Sequence, residues 1–442
     1  MKIQRCGLTL DNSKKTINML GDSIRITRVL FVLGFHIPFP GAAWRRIEYF
    51  AKYLASKGMY VYIIGTITPT SMLSKLKSLM YGESKYKVGS LSYAILNIQP
   101  YIGLKLWLIS LFNILTSILI TLTILLLRPK IVVVSIPEIE QVFASYIGAK
   151  LARAKFIADI RDPNEDFAIM NARGLSRRFY GIVKRLNFTI YRKADAITTV
   201  TRGLAKYLVS HGVKAVLAPN GADTNFFKPY PDRQKIRKIL GLNNSAKAIV
   251  FSGYLGAYYR IDNFLKALAK AVEENPFIKN RIRVVIIGGF SDSNYAKTFA
   301  RMVRDLGIEE LIVNLGVIKS PERHAQILSA CDIGLIPRIS DPFFDYSLPA
   351  KFYEYIACGL PVFVMARKGS ELWNVVEQYK LGYVCQPTDI VCIVQAIKDI
   401  VIEGKLESSR INVLRMRKFV DRRRGAEALY IAIRSLMEES RK

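Results

Sequence analysis

Short apolar runs bounded by turn residues alternate along this chain with stretches whose apolar positions recur every three or four residues. The first pattern marks buried strands and the second amphipathic helices. In the first half the strand-like runs are RVLFVLG (28–34), YVYIIG (60–65), IVVVS (131–135), FIADI (156–160) and AITTV (196–200). WRRIEYFAKYLASKG (44–58) reads as a helix between the first two. A second series follows with AIVFSG (248–253), RVVIIGG (283–289), LIVNLG (311–316), DIGLIP (332–337) and PVFVM (361–365). Apolar strands alternating with helices predict an α/β chain of doubly wound parallel sheets. Between the two series, LAPNGADTNFFKPYPDR (217–233) breaks the pattern with turn residues and three prolines, as an interdomain connection would. The expected organisation is a leader at 1–24, a first domain at 25–222, a second at 223–410 and a basic helix at 411–442 that packs back on the first domain. Two facing sheets would form a cleft at the carboxyl ends of their strands, where open α/β sheets bind ligands.

The stretch LPAKFYEYIACGLPVF (348–363) is a helix with one buried face, Phe352, Tyr355, Ile356 and Ala357, stopped by Gly359 and Pro361. Lys351 and Glu354 lie one turn apart near its start. A cation there suits a phosphate, and the carboxylate a sugar hydroxyl; an ordinary surface pair is the alternative.

LWLISLFNILTSILITLTILLL (106–127) carries no charge, and roughly 20 apolar residues are enough to cross a bilayer. Ser110, Asn113, Ser117 and Thr121 nevertheless share one helical stripe, which suits a helix with protein on one side and lipid on the other. A span would also place the strands before and after it on opposite sides of the bilayer, where they could not pair. A monotopic or half-buried helix is therefore the expectation, with a membrane span or a plain core helix as the alternatives.

With 442 residues the chain is long for one core, which agrees with two domains. A net charge of +30 together with 51% hydrophobic residues suits an anionic membrane surface or acidic substrates. Nucleic acid is disfavoured because Lys and Arg are spread along the chain and no nucleic-acid module is recognisable. Five cysteines without a CxxC spacing argue for a reducing compartment and against zinc, and three scattered histidines offer no metal site. The first 24 residues lack a continuous apolar core, so they do not read as a signal peptide.

GxGxxG is missing after the first strand, GxxxxGK[ST] does not occur, and no Asp-x-Asp pair is available to hold a metal on a diphosphate. Any phosphate must then be met by backbone N–H groups, helix N-termini and basic side chains.

These motifs, in their order, resemble the retaining glycosyltransferases of family 4, the group 1 glycosyltransferases. The likeness runs from about Val29 to the C-terminal helix. PGAAWRRIEYFAKYLASKGMYVYIIG (40–65) is similar to that family's first loop and helix, and DIRDPNED (159–166) to the segment before the acceptor site. RKADAITTVTRGLAKYL (192–208) with PNGADTNFFKP (219–229) resembles the end of its first domain. GYLGAYYRIDNFLKAL (253–268) resembles the donor phosphate loop, and 348–363 the nucleotide-sugar motif. The resemblance implies the GT-B fold of two facing Rossmann-like domains. It implies backbone N–H groups of Gly41 and Ala42 near the diphosphate, where small residues allow close approach. It implies that Gly253 belongs to the donor loop, that Arg260 contacts the diphosphate, that Lys351 meets phosphates or sugar, and that Glu354 binds the ribose. Arg161 and Asp162 fall near the transferred sugar, as candidate catalytic groups or a structural ion pair. Two departures stand out. Tyr254 replaces a common arginine in the donor loop, and Tyr346 falls where the first acid of a Glu-x7-Glu motif belongs, with Asp345 one residue out of place.

The implied activity is metal-independent transfer of a sugar from a nucleotide-sugar donor, with retention and without a cofactor. The charge and the apolar helix point to a lipid-linked acceptor at the cytoplasmic side of the cell membrane, in polysaccharide or glycan assembly. Tyr254 and Tyr346 motivate the alternative of a non-catalytic sugar-nucleotide-binding or scaffold protein. The basic aromatic stretch 177–193 is either a solvated helix face or a second bilayer contact.

Overall fold

A computed structural model describes residues 27–36, 42–67, 80–81, 85–93, 106–136, 141–243, 245–256, 258–259, 261–403 and 406–439. The leader at 1–24 and the site candidates Gly41 and Arg260 lie outside the described residues.

The first domain runs through β1 (Arg28–His36), α1 (Ala42–Ser56), β2 (Tyr60–Ile67), β3 (Met80–Tyr81), β4 (Tyr86–Tyr93), α2 (Leu106–Leu127), β5 (Ile131–Ile136), α3 (Gln141–Leu151) and β6 (Lys155–Ile160). It continues with α4 (Gly174–Lys193), β7 (Ala196–Thr199), α5 (Arg202–Ser210) and β8 (Val216–Leu217). The strands form one sheet in the order β3-β4-β2-β1-β5-β6-β7-β8. Every pairing in it is parallel except β3 on β4. Helices cover both faces, so the central strands meet no water, and Val29 to Leu33 of β1 are buried throughout. One face carries Ile120 and Ile124 of α2 with residues of α3, α4 and α5; the other carries α1.

The second sheet holds β9 (Lys247–Ser252), β10 (Ile282–Ile287), β11 (Ile312–Asn314), β12 (Ile333–Pro337), β13 (Val362–Met365) and β14 (Gly382–Cys385). Its order is β11-β10-β9-β12-β13-β14, all parallel. Two of its helices matter below: α6 (Ala350–Ala357) and α7 (Glu371–Tyr379). The chain then returns to the first domain, where Ala426, Leu429 and Ile433 of α8 (Arg423–Glu439) pack with Phe50 and Leu54 of α1. The return strand meets the outgoing connection at Gly221, whose φ is +80° and whose added Cβ would lie 2.5 Å from the Arg422 backbone. Only glycine serves there.

β1 and β5 pair in parallel, Val29 opposite Ile131, so the apolar segment 106–127 is a crossover helix of this sheet. Thr121 donates to the Ala144 carbonyl of α3 at 3.4 Å, and Gly148 of α3 lets Ile124 approach closely. The polar stripe thus faces protein at Thr121, while Ile118, Leu119, Leu122 and Leu126 are exposed. Among the described residues no helix is long and apolar enough to cross a membrane.

Cys385 at the end of β14 and Cys392 form a disulfide with Cα atoms 5.8 Å apart. Their spacing carries no recognised pairing signal; the turn after β14 is what brings them together. Cys331 and Cys358 are free and buried.

Candidate active site

α6 is buried on every side, including its two charged residues. Pro349 occupies its N-cap position with an extended backbone, and Gly359 at φ +80° ends it. Tyr355 anchors the helix to the second sheet, its hydroxyl accepting from the Ser252 N–H at 2.8 Å and lying 3.2 Å from the Val250 carbonyl. This seating places Lys351 beside the end of β9. Its Nζ has no hydrogen-bond partner among the described residues and lies 3.8 Å from the ring centroids of both Phe251 and Tyr259. Gly253 stands opposite: a Cβ added there would come within 3.1 Å of the amine. Burial pushes the Lys351 amine well below its ordinary range and Arg338 adds repulsion, while Glu354 pulls the other way. Glu354, one turn on, accepts from Arg45 Nη1 of α1 at 3.4 Å, a contact between the two domains. Ala42, at the start of α1, opens the helix that carries Arg45.

Adjoining this pair is an interdomain cavity of about 330 Å³. From the first domain it is lined by Arg46, Arg161, Asp162, Val200, Asn220 and Gly221. The second domain supplies Arg338 and the segments 343–344 and 347–350, and the returning chain supplies Arg422. Arg161 follows β6, Val200 follows β7 and Arg338 follows β12, so the carboxyl ends of both sheets open on one space.

The cations in this wall differ in how they are held. Arg46 is fully buried, with Nη2 2.9 Å from Asp159 Oδ1, Nη1 3.0 Å from the Pro219 carbonyl, and its guanidinium over the Phe50 ring. Burial opposes the Asp159 charge, yet Arg46, with help from Arg161 and Thr198, holds its carboxyl below the usual range. Arg338 donates to Ser347 Oγ at 2.8 Å and stacks over Phe344. Arg422 donates twice to the Gly221 carbonyl, at 3.2 and 3.1 Å. Asp162 is pushed up to about 6 by loss of water, against the pull of Arg161 and Arg338. With four guanidinium groups and Asp162 as the one carboxylate in its lining, the cavity suits a ligand carrying several negative charges. Among the described residues no three His, Cys, Asp or Glu side chains gather as a metal site requires.

Arg161 and Asp162 therefore sit together in the cavity wall, and Gly253, Lys351 and Glu354 form an adjoining group linked to it through Arg338 and the first turn of α6. Tyr254 is largely exposed. Tyr346 serves the domain boundary instead, stacking on Tyr207 at 5.2 Å and accepting from the Thr201 hydroxyl through its carbonyl. Asp345 is taken by Arg367. Two further contacts close the same side: Phe167 lies 4.4 Å from Phe343, and Glu371 of α7 accepts from the N–H groups of Arg202 and Gly203 at the start of α5. Arg45, Arg338, Arg422 and Glu371 are additions to the residues named from sequence. Arg338 had a usable signal, because it directly follows a strand. Arg422 had none, since the partner of its side chain lies 201 residues away.

Two facing Rossmann-like domains with a cation-lined cleft between strand ends define the GT-B architecture. Comparison with solved structures agrees: the Anabaena Alr3699/HepE structure in complex with UDP superposes with a TM-score of 0.65 at 16% identity, covering 92% of this chain and all of that one. Residues 232–413, the greater part of the second domain, match the family model described as glycosyl transferases group 1. A D-inositol 3-phosphate glycosyltransferase of Corynebacterium aurimucosum is 30% identical over 172 residues, 38% of this chain and 39% of that protein. A GDP-mannose-dependent alpha-(1-6)-phosphatidylinositol monomannoside mannosyltransferase of Mycolicibacterium smegmatis is 29% identical over 220 residues, 48% and 54% of the two lengths. The chain thus spans between two fifths and just over half of these curated relatives.

Proposed function

We propose that this protein transfers a sugar from a nucleotide-sugar donor to a lipid-linked acceptor at the cytoplasmic face of a membrane, with retention at the anomeric carbon and without a metal. The observation that carries the reading is the arginine-lined cleft beside an unpaired lysine, in a chain whose second domain matches glycosyl transferases group 1. A neighbour in fold was solved with UDP, and one relative is named as dependent on GDP-mannose and acting on a phosphatidylinositol mannoside. Departure of the nucleotide diphosphate gathers negative charge as the glycosidic bond breaks. Groups already in position to meet that charge lower the barrier without reorganising. In this reading Lys351, Arg338 and Arg260 face the diphosphate, Gly41, Ala42 and Gly253 give it room, and Glu354 exchanges Arg45 for a ribose hydroxyl. Arg161 and Asp162 stand nearest the transferred sugar.

The decisive experiment is mass spectrometry of products formed from membranes and a panel of nucleotide sugars, with the wild-type protein and Arg260→Ala. A glycosylated lipid made by the wild type and lost in the variant is expected. Tight nucleotide binding with no product from any donor would favour a non-catalytic sugar-nucleotide-binding role, for which Tyr346 in place of an acid is the motivating feature. Wild-type turnover by Arg260→Ala would remove that residue from the mechanism.

A further inference from the structure

We propose that α2, α3 and α4 together form one face that docks flat on a bilayer bearing anionic lipids, with α4 as its principal contact. The inference rests on the membrane acceptor proposed above and says which surface meets the membrane.

The three helices lie side by side in the layer over one face of the first sheet, α3 packing on both α2 and α4. Each buries a stripe against the sheet and turns a second apolar stripe outward. On α4 the inner stripe is Phe188, Ile190 and Tyr191, while Leu175, Phe179, Ile182 and Leu186 recur at helical spacing on the exposed side. On α3 the outward residues are Phe143, Ile147 and Leu151. On α2 they include Ile118, Leu122 and Leu126, the last 82% exposed. Scattered exposed apolar residues need no explanation, but aligned stripes on three adjacent helices do.

Charge identifies the occupant. None of the three helices contains an aspartate or glutamate. Their charges are all basic; Lys150 on α3 and Lys184 on α4 pair with the neighbouring Asp195 and Asp166, while α4 also carries Arg177, Arg178, Arg185, Arg192 and Lys193. Apolar stripes edged by the arginines of an acid-free helix match a surface of anionic headgroups over hydrocarbon. The opposite layer of the same domain differs on both counts. α1 carries Glu48, α8 carries Glu427, Glu438 and Glu439, and Ile431 is their one prominent exposed aliphatic side chain. A second copy of this chain would bring the same cations against themselves, so the bilayer is the occupant that balances the charge.

The test is sedimentation of the full chain with vesicles of phosphatidylcholine containing phosphatidylglycerol, against phosphatidylcholine alone, alongside light scattering in solution. Binding to the anionic vesicles that weakens with salt is expected. Ile182→Glu should weaken it about tenfold or more, and Arg177→Glu by about fivefold. Both positions are exposed, so thermal unfolding should not move, and Phe179→Ser provides a second apolar probe without added charge. Equal binding by all variants, or a dimer in solution that Ile182→Glu dissociates while vesicles are ignored, would overturn the proposal. Sugar transfer plays no part in the assay: vesicle binding by a protein that makes no glycosylated lipid would leave the docking face standing and the enzymatic reading refuted.

Discussion

Two buried cations, Arg46 in the cleft wall and Lys351 adjoining it, stand under opposite conditions. Arg46 in the first domain is spent: its guanidinium is shared among Asp159, Pro219 and Asn220 and lies over Phe50. Lys351 in the second domain has two aromatic rings and no hydrogen-bond acceptor among the described residues. A buried charge that is paired belongs to the framework, and breaking it is costly. A buried amine that is unpaired destabilises the fold unless something else, such as a ligand, accepts from it. The contrast separates the cation that builds the cleft from the one left over to meet what enters it.

The sharpest way to break the comparison is Arg46→Ala. It leaves Asp159 buried without its ion-pair partner, held only by the Ser135 and Thr198 hydroxyls and the field of Arg161, and should cost about 3–5 kcal/mol in denaturant unfolding. Lys351→Met should do the reverse. Stability at neutral pH should stay level or rise, because a desolvated amine is replaced by an apolar chain of similar length. Binding of UDP and GDP, measured by titration calorimetry, should weaken by about tenfold or more for whichever of them binds, as loss of one charged contact predicts. A variant that is less stable yet binds as the wild type would reverse the two roles.

The smallest effect concerns Asp162. Its folded-state pKa of about 6 lies above its unfolded value, so the folded protein holds the proton more tightly. Its contribution to stability is therefore full below about pH 4 and is lost as pH rises through about 6. Asp162→Asn should flatten that fall and leave the protein more stable at pH 7 by on the order of 1–2 kcal/mol, read from melting temperatures across the range. An unchanged pH profile would show that Asp162 is already ionised in the folded state.

Much of the architecture was legible in the linear pattern, and most of the contacts were not. VFVM at 362–365 and IVVVS at 131–135 could only be buried strands, and both are. The helix at 350–357 was bracketed by Pro349 and Gly359, each of which restricts backbone torsions whatever surrounds it. The stripe on 106–127 was readable at Thr121, and the pairing of β1 with β5 follows from strands that must share a sheet. By contrast, nothing local linked Arg45 to Glu354, Arg422 to Gly221, or Cys385 to Cys392. Tyr346 looked like a missing acid and is a contact between domains.

Alone, the sequence determined the elements, the two-sheet class and the excess of positive charge, because periodicity, turn chemistry and net charge are properties of neighbours along the chain. Only the tertiary structure decided which cations are neutralised, which carboxylates are occupied and which apolar stripes face outward. Those outcomes depend on burial and on partners brought together from far apart, and the cost of an unpaired charge is set by the water that folding removes from it.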